Sequence, residues 1–242
     1  MDVQPIPVGR RFFFTMLGIA TGISLISIVF SFFDPEQVTL KIIFFLFNTE
    51  SENNIPTWFS AGLWLFLGIA VLLVRAHTER YRASWLVFAV VAMLASLDEF
   101  SRLHERLEKI GRRLAAALSL EDVLHWAWVL VGLIIVVFVA VTLTPLVFRL
   151  PKTIRNGILL SGFIFVLGAV GFETLGGLAR KYEMPIVYIL LQHTEELLEM
   201  TGVSLAVASV LEMLEFRRTE EGFETSFRGY KERFVGRRLA TE

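Results

Sequence analysis

Apolar residues gather in six long runs, roughly 11–33, 57–74, 84–103, 124–148, 156–178 and 185–214, separated by charged stretches. A bilayer core of about 30 Å takes about 20 helical residues to cross, and in lipid only helices or closed barrels satisfy the backbone. The pattern predicts an all-α, polytopic integral membrane bundle of about six transmembrane helices over residues 1–215. The first run follows Arg10 and Arg11 and outruns the apolar region of a signal peptide, so it reads as a retained anchor. Only residues 179–184 separate the last two runs, which makes them antiparallel neighbours.

Shorter patterns fill the gaps. Asp34-Pro35-Glu36 has the chemistry of a helix start and opens the ten apolar residues 38–47, too few to cross and suited to the outer interface. Leu103, Leu107, Ile110, Leu114 and Leu118 recur at helical spacing, predicting an amphipathic helix along the outer surface. Ser119 to Asp122 has the form of a capping box for the fourth span. In the tail, 216–242, the residues Phe216, Phe223, Phe227, Tyr230 and Phe234 among basic residues predict a cytoplasmic amphipathic helix. Gly157, Ser161, Gly168 and Gly171 form a small-residue stripe on the fifth span, suited to close helix contact.

Composition supports this picture: 55% of the 242 residues are hydrophobic and 19% charged, more apolar side chain than a soluble domain of this length buries. A net charge of −1 leaves no footprint for nucleic acid, and no phosphate loop points to a nucleotide cofactor. Cysteine is absent, so any metal site has only His and carboxylate ligands. With six crossings both termini share one side. That side holds 15 Lys and Arg against 8 on the other, which places the termini in the cytoplasm of a bacterial-type inner (plasma) membrane.

Ionisable residues inside spans are rare and costly, and each is a functional candidate. Here they pool in the outer half: Asp98, Glu99 and His104 at the end of span three, Glu173 in span five, His193, Glu195, Glu196 and Glu199 in span six, with Glu50 and Glu52 before span two and His125 opening span four. Carboxylates and imidazoles without thiolate suit iron, manganese or zinc, as one or two ions. The expected ligands are Glu173, His193 and Glu196, then Asp98 or Glu99, Glu52 and His104, with Glu195, Glu199, His125 and Glu50 supporting them. Span six reads His-x-x-Glu, the reverse of the Glu-x-x-His of di-iron carboxylate bundles. On a regular helix Asp98 and Glu99 lie more than about 100° from His104, so joint action requires a helix break between them. A plain alternative pairs Asp98 with Arg102 and Glu105 with Lys109 at i,i+4.

Three functions are compatible with this pattern: a metal-dependent membrane enzyme acting on a lipid or lipophilic substrate, a proton- or cation-coupled transporter or channel subunit using the same carboxylates, and a structural subunit of a membrane complex. The first is preferred because His and carboxylates share one layer. Membrane lipids are expected partners, and the glycine-rich fifth helix or the tail is where a second copy or a complex partner would dock.

Overall fold

In the computed structural model the described residues are 7–33, 37–120, 124–219 and 222–230. They form α1 (Val8–Phe30), α2 (Val38–Phe47), α3 (Ile55–Ala76), α4 (Arg82–Ser101), α5 (Leu103–Arg106), α6 (Glu108–Ala117), α7 (Trp128–Val147) and α8 (Lys152–Val166). A π-helical segment (Leu167–Phe172) joins α8 to α9 (Glu173–Lys181), and α10 (Pro185–Leu211) precedes a hairpin of β1 (Leu214–Thr219) and β2 (Gly222–Phe227).

Five of the expected six spans are helices long and apolar enough to cross a bilayer: α1, α3, α4, α7 and the continuous 30 residues from Lys152 to Lys181. The sixth, α10, has ample length at 27 residues, about 40 Å at 1.5 Å per residue. Glu195, Glu196 and Glu199 make it too charged to count with the other five, although the helix is the hub of the bundle. It packs against α1, α3, α8, the π segment and α9.

The apolar core lies toward the C-terminal half of α10. Met200, Val203, Val207 and Val210 meet Leu67, Val71 and Val74 of α3, Trp85 of α4 and Leu146 of α7, all essentially inaccessible. The outward faces stay greasy, with Phe14, Phe138, Val141 and Phe163 more than 60% exposed, as lipid-facing positions should be. The small-residue stripe is used within the chain. A Cβ on Gly168 would fall 2.9 Å from the Glu195 carbonyl, one on Gly202 within 2.9 Å of α8 backbone, and one on Gly157 against Ser209. The stripe is therefore occupied by α10, whereas Gly171 meets only Leu167.

The surface helix expected at 103–118 is split into α5 and α6. Leu103, Ile110 and Leu118 remain exposed, and Gly111 lets α6 press on the Ala127 backbone. The Glu108 carboxylate accepts from the Trp128 N–H (2.9 Å) and Arg112 pairs with it at 2.7 Å, so α7 is capped from α6. The capping box expected there reaches into 121–123, and the Asp34-Pro35-Glu36 start of α2 is 34–36. Both lie outside the described residues.

The tail corrects the sequence expectation, because residues 214–219 and 222–227 pair as antiparallel strands and are not an amphipathic helix. Leu214 stands opposite Phe227 and Phe216 opposite Thr225. The physical reason is local: Gly222 sits at φ +143, which other residues rarely adopt, and Leu214 and Phe216 face inward at a period of two with Arg217 outward. Phe216, Phe227 and Tyr230 pack on the core, so residues aligned at helical spacing reach it by another route. Phe234 and the rest of 231–242 lie outside the described residues.

Tyr230 hooks the hairpin to the bundle. Its hydroxyl accepts from the buried Trp85 indole N–H (2.9 Å), donates to the Arg80 carbonyl (2.9 Å) and lies 3.2 Å from Thr78 Oγ1. Replacing Tyr230 with Phe leaves the indole N–H without this partner and is expected to cost about 1–3 kcal/mol. The check is the thermal unfolding midpoint in detergent, and an unchanged midpoint would show the hook contributes nothing.

Candidate functional site

The acidic layer lies at the other end of α10 from the apolar core. Its first wall is the 48–54 loop, in which Asn54 makes the most ties. The Asn54 amide donates to the carbonyls of Phe45 (3.3 Å), Asn48 (2.5 Å) and Ser51 (2.7 Å), while its Oδ1 accepts from the Thr57 N–H (3.2 Å) and caps α3. This places Glu52 half-buried, with Thr57 Oγ1 donating to it at 3.4 Å and Arg102 Nε 3.8 Å away. Glu50 points outward and is exposed.

The second wall is the end of α4, where Arg102 takes the left-handed conformation at φ 54 and breaks the helix. The chain doubles back so that Asp98 accepts from both the His104 backbone N–H (2.7 Å) and ring Nδ1 (2.9 Å). The break that the Asp98–His104 pair requires is therefore present. Asp98 and Arg102 meet through the backbone, and Arg102 pairs with Glu105 and Glu52 instead. The imidazole of His104 lies 4.7 Å from the Trp128 ring, and Glu99 lies beside Ser60.

The third wall is the π segment and the start of α9. One extra residue per turn rotates the remainder of the helix by about 100°, and Glu173, directly after the segment, lies beside Glu195. Glu195 is 95% buried, and its Oε2 has no hydrogen-bond partner among the described residues. Glu196 faces the charges of Glu99, Glu52 and Glu173, and Glu199 those of Glu196, Glu99, Glu173 and Asp98. None of the largest charge contacts to Glu99, Glu195, Glu196 or Glu199 comes from a lysine or arginine.

The structure thus brings Glu52, Asp98, Glu99, His104, Glu173, Glu195, Glu196 and Glu199 into one layer and leaves the other expected residues out of it. His193 faces α1. Its Nε2 lies 2.9 Å from Ser27 Oγ and its Nδ1 2.7 Å from the Ile189 carbonyl, so both ring nitrogens are engaged. Ser27 also accepts from the Thr49 N–H at 3.0 Å, which makes the trio a tie between α1, the 48–54 loop and α10. His125 stacks edge-on to Trp126 beside Gly177. Among the described residues no three His, Asp or Glu side chains stand where they could hold a metal ion as placed. Ser27, Thr57 and Ser60 carry contacts here that nothing in the sequence singles out, since a lone hydroxyl in an apolar run has no signature.

Two groups lie outside the spanning helices and titrate away from their ordinary values. Burial raises Glu52 above 4.5, with Arg102 opposing. Burial pulls His104 down, but the Asp98 hydrogen bond and the charges of Asp98, Glu99 and Glu105 outweigh it and leave it above 6.5. A raised folded-state value contributes stability that is complete below the unfolded value and lost as pH rises through the folded one. This corner is therefore tightest in acid and loosens toward alkaline pH. In chelator-treated protein the His104 ring is expected to titrate above 6.5 by NMR, with Asp98→Asn lowering the midpoint; a midpoint indifferent to Asp98→Asn would remove Asp98 as the cause.

No curated protein and no solved structure matches this chain. One family does, over residues 13–213, which takes in every helix named above except the first turns of α1. The chain belongs to that family, described as a domain of unknown function (DUF8692).

Proposed function

We propose that the chain is a membrane-embedded enzyme whose acidic layer binds one or two ions of iron, manganese or zinc and acts on a lipid or lipophilic substrate. The observation that carries the reading is the meeting of carboxyl groups from the 48–54 loop, α4, α9 and α10 with one imidazole, with Arg102 on Glu52 as the cationic neighbour. Carboxylates gathered at membrane depth need cations or protons, and an oxygen-rich set with one nitrogen suits these metals. Glu52, Glu99, His104, Glu173, Glu196 and Glu199 would hold the ions, after side-chain rotations that turn facing carboxyls onto a shared centre. His193 is not in this set. Asp98 orients His104, as an outer carboxylate does for a metal-bound imidazole.

The one-sidedness of the layer favours an enzyme over a channel. Beyond Glu199, α10 continues as Met200, Val203, Val207 and Val210 in the sealed apolar core. A second reading, proton or cation coupling through the same carboxyls, is favoured by the neighbouring carboxyls of Glu173 and Glu195, the latter buried with Oε2 unpartnered among the described residues.

Elemental analysis of detergent-purified protein separates the two. The enzyme reading expects about one or two equivalents of metal, lost in Glu196→Gln while the fold is kept. Metal-free wild type that dissipates a proton gradient in liposomes, with Glu195→Gln about tenfold slower or worse, would replace it with the coupling reading. Absence of both metal and flux would sink each.

A further inference from the structure

A groove of about 550 Å³ opens sideways between the end of α2, the start of α3 and the end of α4. Its upper rim is polar and uncharged, formed by Asn53, Asn54 and Thr57. Below the rim the wall turns apolar along α3, through Trp58, Ala61 and Gly62 to Leu65, with Phe100 of α4 and Leu46 of α2 across from it. Trp58 is 75% exposed and Phe100 63%, so the apolar wall faces the surroundings.

Three features identify the occupant. The groove flanks α3 and α4, both long and apolar enough to cross a membrane, so lipid and not water fills it. From Ile55 to Leu65 the wall descends ten residues, about 15 Å, which is half the hydrocarbon core of about 30 Å. Polarity falls along that descent as it does along a lipid, from hydrogen-bonding groups to hydrocarbon, and no charged side chain lines it. The rim is stapled, because the Asn54 amide binds one carbonyl of α2 and two of the 48–54 loop. It also touches the acidic layer, since the Thr57 hydroxyl has its one proton within reach of two acceptors, Asn54 Oδ1 (3.1 Å) and Glu52 (3.4 Å).

We infer that this groove seats one acyl chain of a glycerolipid, with an ester oxygen accepting from the exposed Asn53 side-chain amide at the rim, and so presents the polar end of a membrane lipid to Glu52. The inference deepens the enzyme reading by giving its substrate class, and rests on that reading only for what happens at Glu52. Seating the chain is a matter of shape and polarity alone. The expected recognition is of the acyl chain and its ester, with little dependence on the headgroup charge.

Gly62 supplies the test. It lines the groove, and a Cβ there would meet nothing within 4 Å. Gly62→Phe therefore projects into the groove without disturbing helix packing, and replacing a helical glycine does not weaken α3. The full-length protein is reconstituted in vesicles of dioleoylphosphatidylcholine doped with a phosphatidylcholine bearing a diazirine on one acyl chain, irradiated and mapped by peptide mass spectrometry. Cross-links concentrated in residues 46–65 and at 96–100, falling about tenfold or more in Gly62→Phe at unchanged unfolding temperature and metal content, are expected. Cross-links spread evenly over α1 and α7, or undiminished in Gly62→Phe, overturn the inference and leave the metal reading standing. Groove cross-links on a metal-free wild type leave the inference standing and overturn the enzyme reading. If Gly62→Phe unfolds, Gly62→Leu decides by the same map.

Discussion

A carboxylate in hydrocarbon is tolerated only beside a cation, a proton or water, and α10 carries three of them within five residues. That constraint organises the molecule. A helix so charged cannot face lipid, so the five apolar helices take the outside and α10 is wrapped by α1, α3, α8 and α9. Close wrapping needs small residues, and Gly157, Gly168 and Gly202 lie where the backbones meet. Gly168 is central to both demands, because the Glu195 carbonyl and the Glu199 side chain are the atoms nearest to where its Cβ would be.

Three departures from regular helix aim side chains into the layer. The left-handed Arg102 folds His104 back over Asp98, the π segment turns Glu173 toward α10, and Asn54 pins the loop that carries Glu52. A non-glycine residue at positive φ and a π turn each sacrifice favourable backbone geometry. Both occur within reach of the same acidic group, and neither is needed merely to cross a membrane.

The spans were legible because crossing sets a length and an apolar composition, both readable from one run of residues. The pooling of Asp98, Glu99, Glu173 and the α10 glutamates in one layer was legible for a related reason: rise per residue converts position into depth. Direction around the helix was not. His193 shares the depth of Glu196 but turns to Ser27, a partner 166 residues away that no local pattern announces. The angular mismatch between His104 and Asp98 left a helix break as one of two outcomes, the other being that the two do not act together, and the left-handed Arg102 supplies the break. The tail misled because Phe216, Phe227 and Tyr230 fit a helical stripe, and the turn at Gly222 and the inward-outward alternation of the strand specify a hairpin that serves the same apolar surface.

The two ends of the bundle differ in what they exclude. At one end Trp85 is held by Tyr230, and the side chains of α3, α4, α7 and α10 interlock with no charged group among them. At the other end the walls are a short helix, a stapled loop and a broken helix end, and the titratable groups begin directly beneath them. A path for ions through such a bundle would have to open the better-packed end, at the cost of its largest buried contacts. A centre that is loaded and emptied from the polar end needs no such opening. The groove beside α3 meets this end at Thr57, so it lies on the same side of the bundle as the carboxyl layer and away from the sealed apolar core.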